Sequence, residues 1–207
     1  MTTQLSLYNQ ALQLLKERKL TALDSPAEEK SQIELDTVWD NGATDYCLEQ
    51  AYWNFATRDI ELSYDPDTTP AFGLQYAFNK PSDWKRTSAI CSDELFTVPH
   101  LSYRDRGSFW YSDLDTLYIS YVSNDASYGG DLSLWPQVFV KYVAAYLASE
   151  ACLRITGSKD LKVEVDFILR QRFDDASNND VMNEPTKLPP RGRWAAARRG
   201  RRYEHET

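Results

Sequence analysis

The sequence predicts a mainly α chain with a β-rich insertion, an α+β fold: a four-helix bundle body, a small β-sheet insertion between helices 2 and 3, and an extended C-terminal arm. Apolar residues recur at helical spacing over residues 4–59 and again over 136–176. Between them, Pro66, Pro70, Pro81 and Pro99 punctuate short runs of Tyr, Phe, Thr and Ile, a strand-and-turn pattern. Beyond residue 178 large aliphatic side chains become scarce and a basic cluster follows. The expected division is 1–60 with 131–177 as the helical bundle, 61–130 as the β-rich insertion and 178–207 as the arm.

The first helix is expected over residues 4–20. Leu5, Tyr8, Leu12 and Leu15 fall at steps of three or four, and Lys16, Arg18 and Lys19 suit the negative end of its dipole. Ser25, Pro26 and Glu28 form a helix-start signature, with Ser25 as cap and Pro26 in the first turn. The second helix is expected to run from there to about residue 59, with Leu35, Trp39, Tyr46 and Trp53 on its apolar stripe. Gly42 costs about 1 kcal/mol relative to Ala inside a helix, which makes it the place for a kink.

Strands are expected at 72–78, 86–91, 109–112 and 117–122. Arg106-Gly107 reads as a hairpin turn joining 101–103 to 109–111, and Asp113-Leu114-Asp115 as the next turn. Residues 117–122 carry few polar groups on either face, so that strand should be covered on both sides. Pro136 then suits a first helical position, and Phe139, Val143, Tyr146, Leu147 and Ala151 make the third helix apolar nearly all round. It should be the most buried. Gly157 reads as a left-handed stop and Ser158 as the next cap. Leu161, Val165, Ile168, Leu169 and Phe173 carry the fourth helix to about residue 176.

Composition narrows the function. The 207 residues hold 6 Trp, 13 Tyr and 8 Phe, side chains that supply most buried area in cores and interfaces. Cys47, Cys91 and Cys152 are far apart and none stands at metal-ligand spacing, which predicts buried thiols in a reducing compartment. The first residues lack a basic region followed by an apolar core, so no secretory signal is expected, and no apolar run is long enough for a bilayer helix. No enzyme machinery stands out. Tyr128-Gly129-Gly130 lacks the Lys-Ser/Thr of a phosphate loop, and nothing in the sequence near His100 or His205 supports a catalytic pairing. Acidic pairs such as Asp93-Glu94 lack calcium-loop spacing and read as solvated turns. No cofactor and no metal is expected.

One feature has a sharp partner hypothesis. Residues 187–202 hold seven basic groups and no acid, while residues 1–186 hold 16 basic and 29 acidic. The candidate binding residues are Arg191, Arg193, Trp194, Arg198, Arg199, Arg201 and Arg202. Such a segment could fill an acidic or aromatic groove of a protein, or grip phosphates and stack a base, or only keep the chain solvated.

The stretches Tyr8-Asn9-Gln10-Ala11-Leu12, Leu20-Thr21-Ala22-Leu23-Asp24 and Ala51-Tyr52-Trp53-Asn54-Phe55-Ala56-Thr57-Arg58 follow one another in order. Tyr76-Ala77-Phe78-Asn79-Lys80-Pro81-Ser82-Asp83-Trp84 comes next, then Leu117-Tyr118-Ile119-Ser120-Tyr121-Val122 and Trp135-Pro136-Gln137-Val138-Phe139. In this order the chain resembles the tail tubular protein A family, the head–tail adaptors of short-tailed bacteriophages, over roughly residues 5–175. The segment beyond 178 has no match in that pattern.

The resemblance implies a structural virion protein of the tail or neck, made in the host cytoplasm. It implies a homo-oligomeric ring, twelvefold, between the portal protein and the tail nozzle protein. The C-terminal arm would reach the portal, the β-rich part would face the tail components, and DNA would pass through the channel without specific binding or contact with a membrane. An acidic lumen would repel phosphate. The first alternative is a nucleic-acid-binding protein that uses the arginine-rich segment. The second is a carbohydrate-binding module stacking sugars on Trp84, Trp110, Tyr103 and Tyr111.

Overall fold

The computed structural model describes residues 2–23, 30–70 and 73–182. Among these are five α-helices and two three-stranded antiparallel sheets. The fold is α+β, but the expected four-helix bundle is wrong, and the reason lies in residues 40–63.

Helix α1 (Gln4–Leu14) opens with a capping box: Thr3 Oγ1 accepts the Ser6 amide at 3.2 Å and Ser6 Oγ accepts the Thr3 amide at 3.1 Å. It stops earlier than the apolar spacing suggests. Lys16 turns into the left-handed region at φ 61°, and the chain doubles back so that the Asn9 side chain pairs with both backbone groups of Leu20, at 2.8 and 3.1 Å. Leu15 and Leu20 are buried by that reversal.

The long second helix is instead two. Helix α2 (Lys30–Asp40) ends at a break where Gly42 adopts φ 88°, and α3 (Ala43–Glu49) follows in a new direction. A left-handed residue cannot propagate an α-helix, so Gly42 breaks the expected helix outright. The start signature at Ser25, Pro26 and Glu28 lies outside the described residues. After α3, a 3-10 turn (Asn54–Ala56) delivers the chain into strand β1 (Thr57–Ser63), whose first residues the helical reading absorbed. Trp53 stays buried, but from a loop, with its indole N–H on the Cys47 carbonyl at 3.1 Å.

Strands β2 (Tyr76–Asn79), β3 (Trp84–Cys91), β4 (Arg104–Arg106), β5 (Phe109–Ser112) and β6 (Thr116–Ser123) complete the sheets. One sheet runs β1-β6-β3 and the other β2-β5-β4. The β4–β5 hairpin turns at Gly107, φ 56°, with its first strand three residues later than the apolar pattern placed it. Phe78 and Trp110 from one sheet meet Ile90, Leu117, Ile119 and Tyr121 from the other in a separate small core. In β6 the residues facing that core are fully buried, whereas Thr116, Tyr118 and Ser120 on the opposite face are half-buried.

Helix α4 (Gln137–Thr156) is the centre of the helical half. Pro136 caps it from an extended conformation, one position before the helix begins. Apolar except where Lys141, Glu150 and Arg154 reach solvent, it packs against α1, α2, α3 and α5. Leu147 is fully buried, and truncating such a side chain to Ala costs about 2–5 kcal/mol. Phe139 sits among Trp53 and Trp135, with ring centroids at 4.8 and 4.9 Å in edge-on geometry. Gly157 ends α4 at φ 66°, and Ser158 Oγ accepts the Leu161 amide at 3.2 Å to start α5 (Lys159–Met182), as the spacing predicts. Helix α5 continues six residues past the expected end because Ala176 and Asp180 are buried against the body.

Candidate functional site

The seam between the helical half and the β half is polar, with a cavity of about 290 Å³ opening on it between Asp45, Asn124, Gly129 and Trp135. Asp83, just before β3, accepts from Ser123 at 2.5 Å, Arg58 at 3.0 Å and Tyr121 at 3.0 Å. Burial pushes this carboxyl up, but the Ser123, Arg58 and Tyr121 donors outweigh it and hold it below the ordinary carboxylate value. Asp45 on α3 bridges to the β half by accepting from Lys85 at 2.8 Å and Asn124 at 2.9 Å. These groups are committed to one another, which makes the seam a structural joint.

The Gly129-Gly130 turn is part of that joint. The Gly129 amide donates to Ser123 O and the Gly130 amide to Asp125 O. With both amides spent internally, the turn offers no cradle to a phosphate. Trp135 donates to the Gly129 carbonyl at 2.8 Å and packs the turn onto α4.

His100 does meet a serine, a pairing that no local pattern marks. Its Nε2 lies 2.9 Å from Ser112 Oγ, an atom that also accepts the Leu114 amide. Ser112 has no exposed surface, so this pair fastens the turn after β5 and no substrate can approach the hydroxyl. Trp84 and Trp110 are likewise not a stacking platform. Trp110 is fully buried, Lys80 Nζ lies 3.8 Å above the Trp84 ring, and Thr87 Oγ1 accepts from both indoles. All three cysteines are buried and free, as expected. Among the described residues no group of three His, Cys, Asp or Glu could hold a metal ion. None of their helices is long and apolar enough to cross a membrane.

Three exposed features stand apart from this internal order. The loop between β3 and β4 is built on Asp93, whose carboxylate accepts from the Thr97 amide, the Thr97 hydroxyl and the Val98 amide. Those bonds hold the Asp93 carboxyl below its usual range. The rigid loop then carries Leu95 at 81% and Leu101 at 86% exposure, with Val98 beside them. On the helical half, α5 turns Val163 and Phe167 outward at i and i+4, Phe167 62% exposed.

The third feature is an aromatic groove of about 390 Å³ where α3, α4 and α5 meet. Tyr46 and Tyr146 stack across it at 4.7 Å and 20°, and Tyr142 lies 5.4 Å from Phe173. Glu150 and Asp174 are its carboxylates and Arg170 its guanidinium. Burial, with the Glu150 charge next in size, pushes the Tyr146 hydroxyl up to about 12. Periodicity placed Tyr46 and Tyr146 on apolar stripes. It could not tell that the two stripes would meet at an open edge.

The candidate binding residues Arg191, Arg193, Trp194, Arg198, Arg199, Arg201 and Arg202 lie outside the described residues. Compared with known proteins, the chain matches no family model and no curated sequence.

Proposed function

We propose that this chain is a structural virion protein, a head-to-tail adaptor that forms a ring between a portal and a tail nozzle and is anchored to the portal through its basic C-terminal segment. The observation that carries the reading is the pairing of an internally satisfied scaffold with large apolar side chains left outside it. No described buried side-chain nitrogen or oxygen lacks a partner, yet Leu95, Leu101, Val163 and Phe167 stand in solvent. They come from two separate parts of the chain. A ring subunit needs two different faces, one for each neighbour, with apolar residues at the centre of each.

Charge supports the same role. The described residues hold 16 basic and 25 acidic side chains, a balance that repels DNA and suits a wall past which DNA slides. The basic segment 187–202 then needs a partner other than the acidic body's own solvent shell.

Co-sedimentation with portal complexes tests the proposal, comparing the full chain with one ending at Glu184. Binding by the full chain alone supports it. Salt-sensitive binding to DNA with no binding to portal overturns it in favour of the nucleic-acid reading, because affinity through Arg and phosphate falls steeply with salt.

A further inference from the structure

We infer that the aromatic groove between α3, α4 and α5 is a docking site for the chain's own basic segment, residues 187–202, with Trp194 against the tyrosines and its flanking arginines on Glu150 and Asp174. The inference does not depend on what the segment meets when it is released.

Chemistry is the first argument. Tyr46, Tyr142, Tyr146 and Phe173 offer ring faces and edges to an indole, and a tyrosine face also attracts a guanidinium. The two carboxylates are exposed and have no ion pair among the described contacts, whereas Arg191 and Arg193 flank Trp194 closely enough to reach both. An opening of 390 Å³ is within the size range of small-ligand sites and admits an indole.

Reach is the second. Helix α5 itself supplies Leu169, Arg170, Phe173 and Asp174 to the groove and ends at Met182. The groove therefore lies about 12 Å back along that helix, at about 1.5 Å per residue from Asp174. Residues 183–190 span up to about 26 Å when extended, enough to reverse direction and return residue 191 to it. Tethering on this scale gives an effective concentration on the order of millimolar, so individually weak contacts hold the segment in place. Asn54 fixes where the tether starts, since it binds Asp180 two residues before the end of α5.

A partner that takes the basic segment must displace it from this groove. Docking thereby keeps the arginines off adventitious polyanions until a better-fitting site competes, and binding to the true partner frees the tyrosine face.

Tryptic cleavage of the full chain after Arg191 and Arg193 reads the docked fraction, because cutting tracks the population of the open form. The expected result is cleavage about tenfold slower than in a free peptide of residues 187–202, unchanged on dilution of the protein. W194A, which leaves the body untouched, and the pair E150Q/D174N should each restore the free-peptide rate. Neither Glu150 nor Asp174 makes a hydrogen bond that the fold needs, and a thermal melt checks that. Free-peptide rates in the wild-type chain overturn the inference. So does protection that the groove variants leave intact, or protection lost on dilution, which would make a second copy the occupant.

Discussion

The Asn54 amide donates to Asp180 Oδ2 at 2.8 Å, and the Asn54 side chain donates to the Asp180 carbonyl at 2.9 Å. Two residues 126 apart in sequence thus lock the last turn of α5 to the entrance of β1. A carboxylate near a helix C-terminus opposes the dipole, and these two donors offset that cost. D180A should unfasten the last turn of α5 and cost about 1–3 kcal/mol. For a chain of this size the melting temperature would fall by about 2–4 °C per kcal/mol. Hydrogen exchange confined to residues 177–182 would distinguish local fraying from global loss.

The same contact explains what was legible in the sequence and what was not. Asp174, Asp175, Asn178, Asn179 and Asp180 read as a helix end because such residues favour turns over helix interiors. Asn54, 126 residues upstream, gives Asp180 a partner that holds it in the helix. Local signals survived translation into structure: Gly157 as stop, Ser158 as cap and the largely apolar α4 stand where the sequence put them. Gly42 was visible as a weak point, but its left-handed φ turns a small propensity penalty into a full break. With that break the second helix lost everything beyond Glu49, and β1 could not be recognised without its partner β6. The groove was illegible for a similar reason. Its aromatic residues are separate stripes until three helices converge.

Asp83 gathers Arg58, Tyr121 and Ser123 at the seam. D83A leaves the Tyr121 hydroxyl and the Arg58 guanidinium without their acceptor and should cost about 2–3 kcal/mol. Because the folded carboxyl titrates below its ordinary value of 3.8, its stabilisation is complete above that value. It is lost as pH falls through the lowered folded value. The melting-temperature gap between wild type and D83A should therefore be constant near neutrality and close in acid. A gap that persists to the lowest measurable pH would sink this account.

Alkali should act through the tyrosines. Burial raises Tyr8, Tyr121 and Tyr142, and brings Tyr146 to about 12, against an ordinary value of 10.0. Neutral tyrosine is favoured in the folded chain, so its stabilisation is whole below pH 10 and is lost between 10 and 12 as the unfolded chain ionises first. Denaturant titrations at pH 8 and pH 11, with absorbance at the phenolate band, should show a lower midpoint at pH 11 and phenolate appearing as the chain unfolds.

Gly129 stands where no other residue fits. A Cβ there would lie 2.4 Å from the Ser123 carbonyl oxygen and 3.0 Å from Ala56 Cβ. G129A should cost about 1–3 kcal/mol through backbone displacement. A melting temperature equal to wild type would show that the turn yields freely.

The exposed loop gives the test of assembly. L95D/L101D should leave the monomer's stability within about 0.5 kcal/mol, since both side chains already stand in solvent. If the chain assembles as proposed, ring formation in the presence of portal should be lost. Mass photometry reads both species at once, and rings of normal abundance in the double variant would remove this loop from the subunit contact.

Helix α4 is the most buried helix, and the helices that pack on it lie on both sides of the β-rich section in the chain. Synthesis from the N-terminus therefore presents α1, α2 and α3 to the ribosome's surroundings long before α4 exists to shelter them. The six strands, all contained within residues 57–123, have their partners as soon as β6 emerges. The half of the protein that is made first is thus the half completed last. During that interval its apolar residues are the ones a chaperone would find.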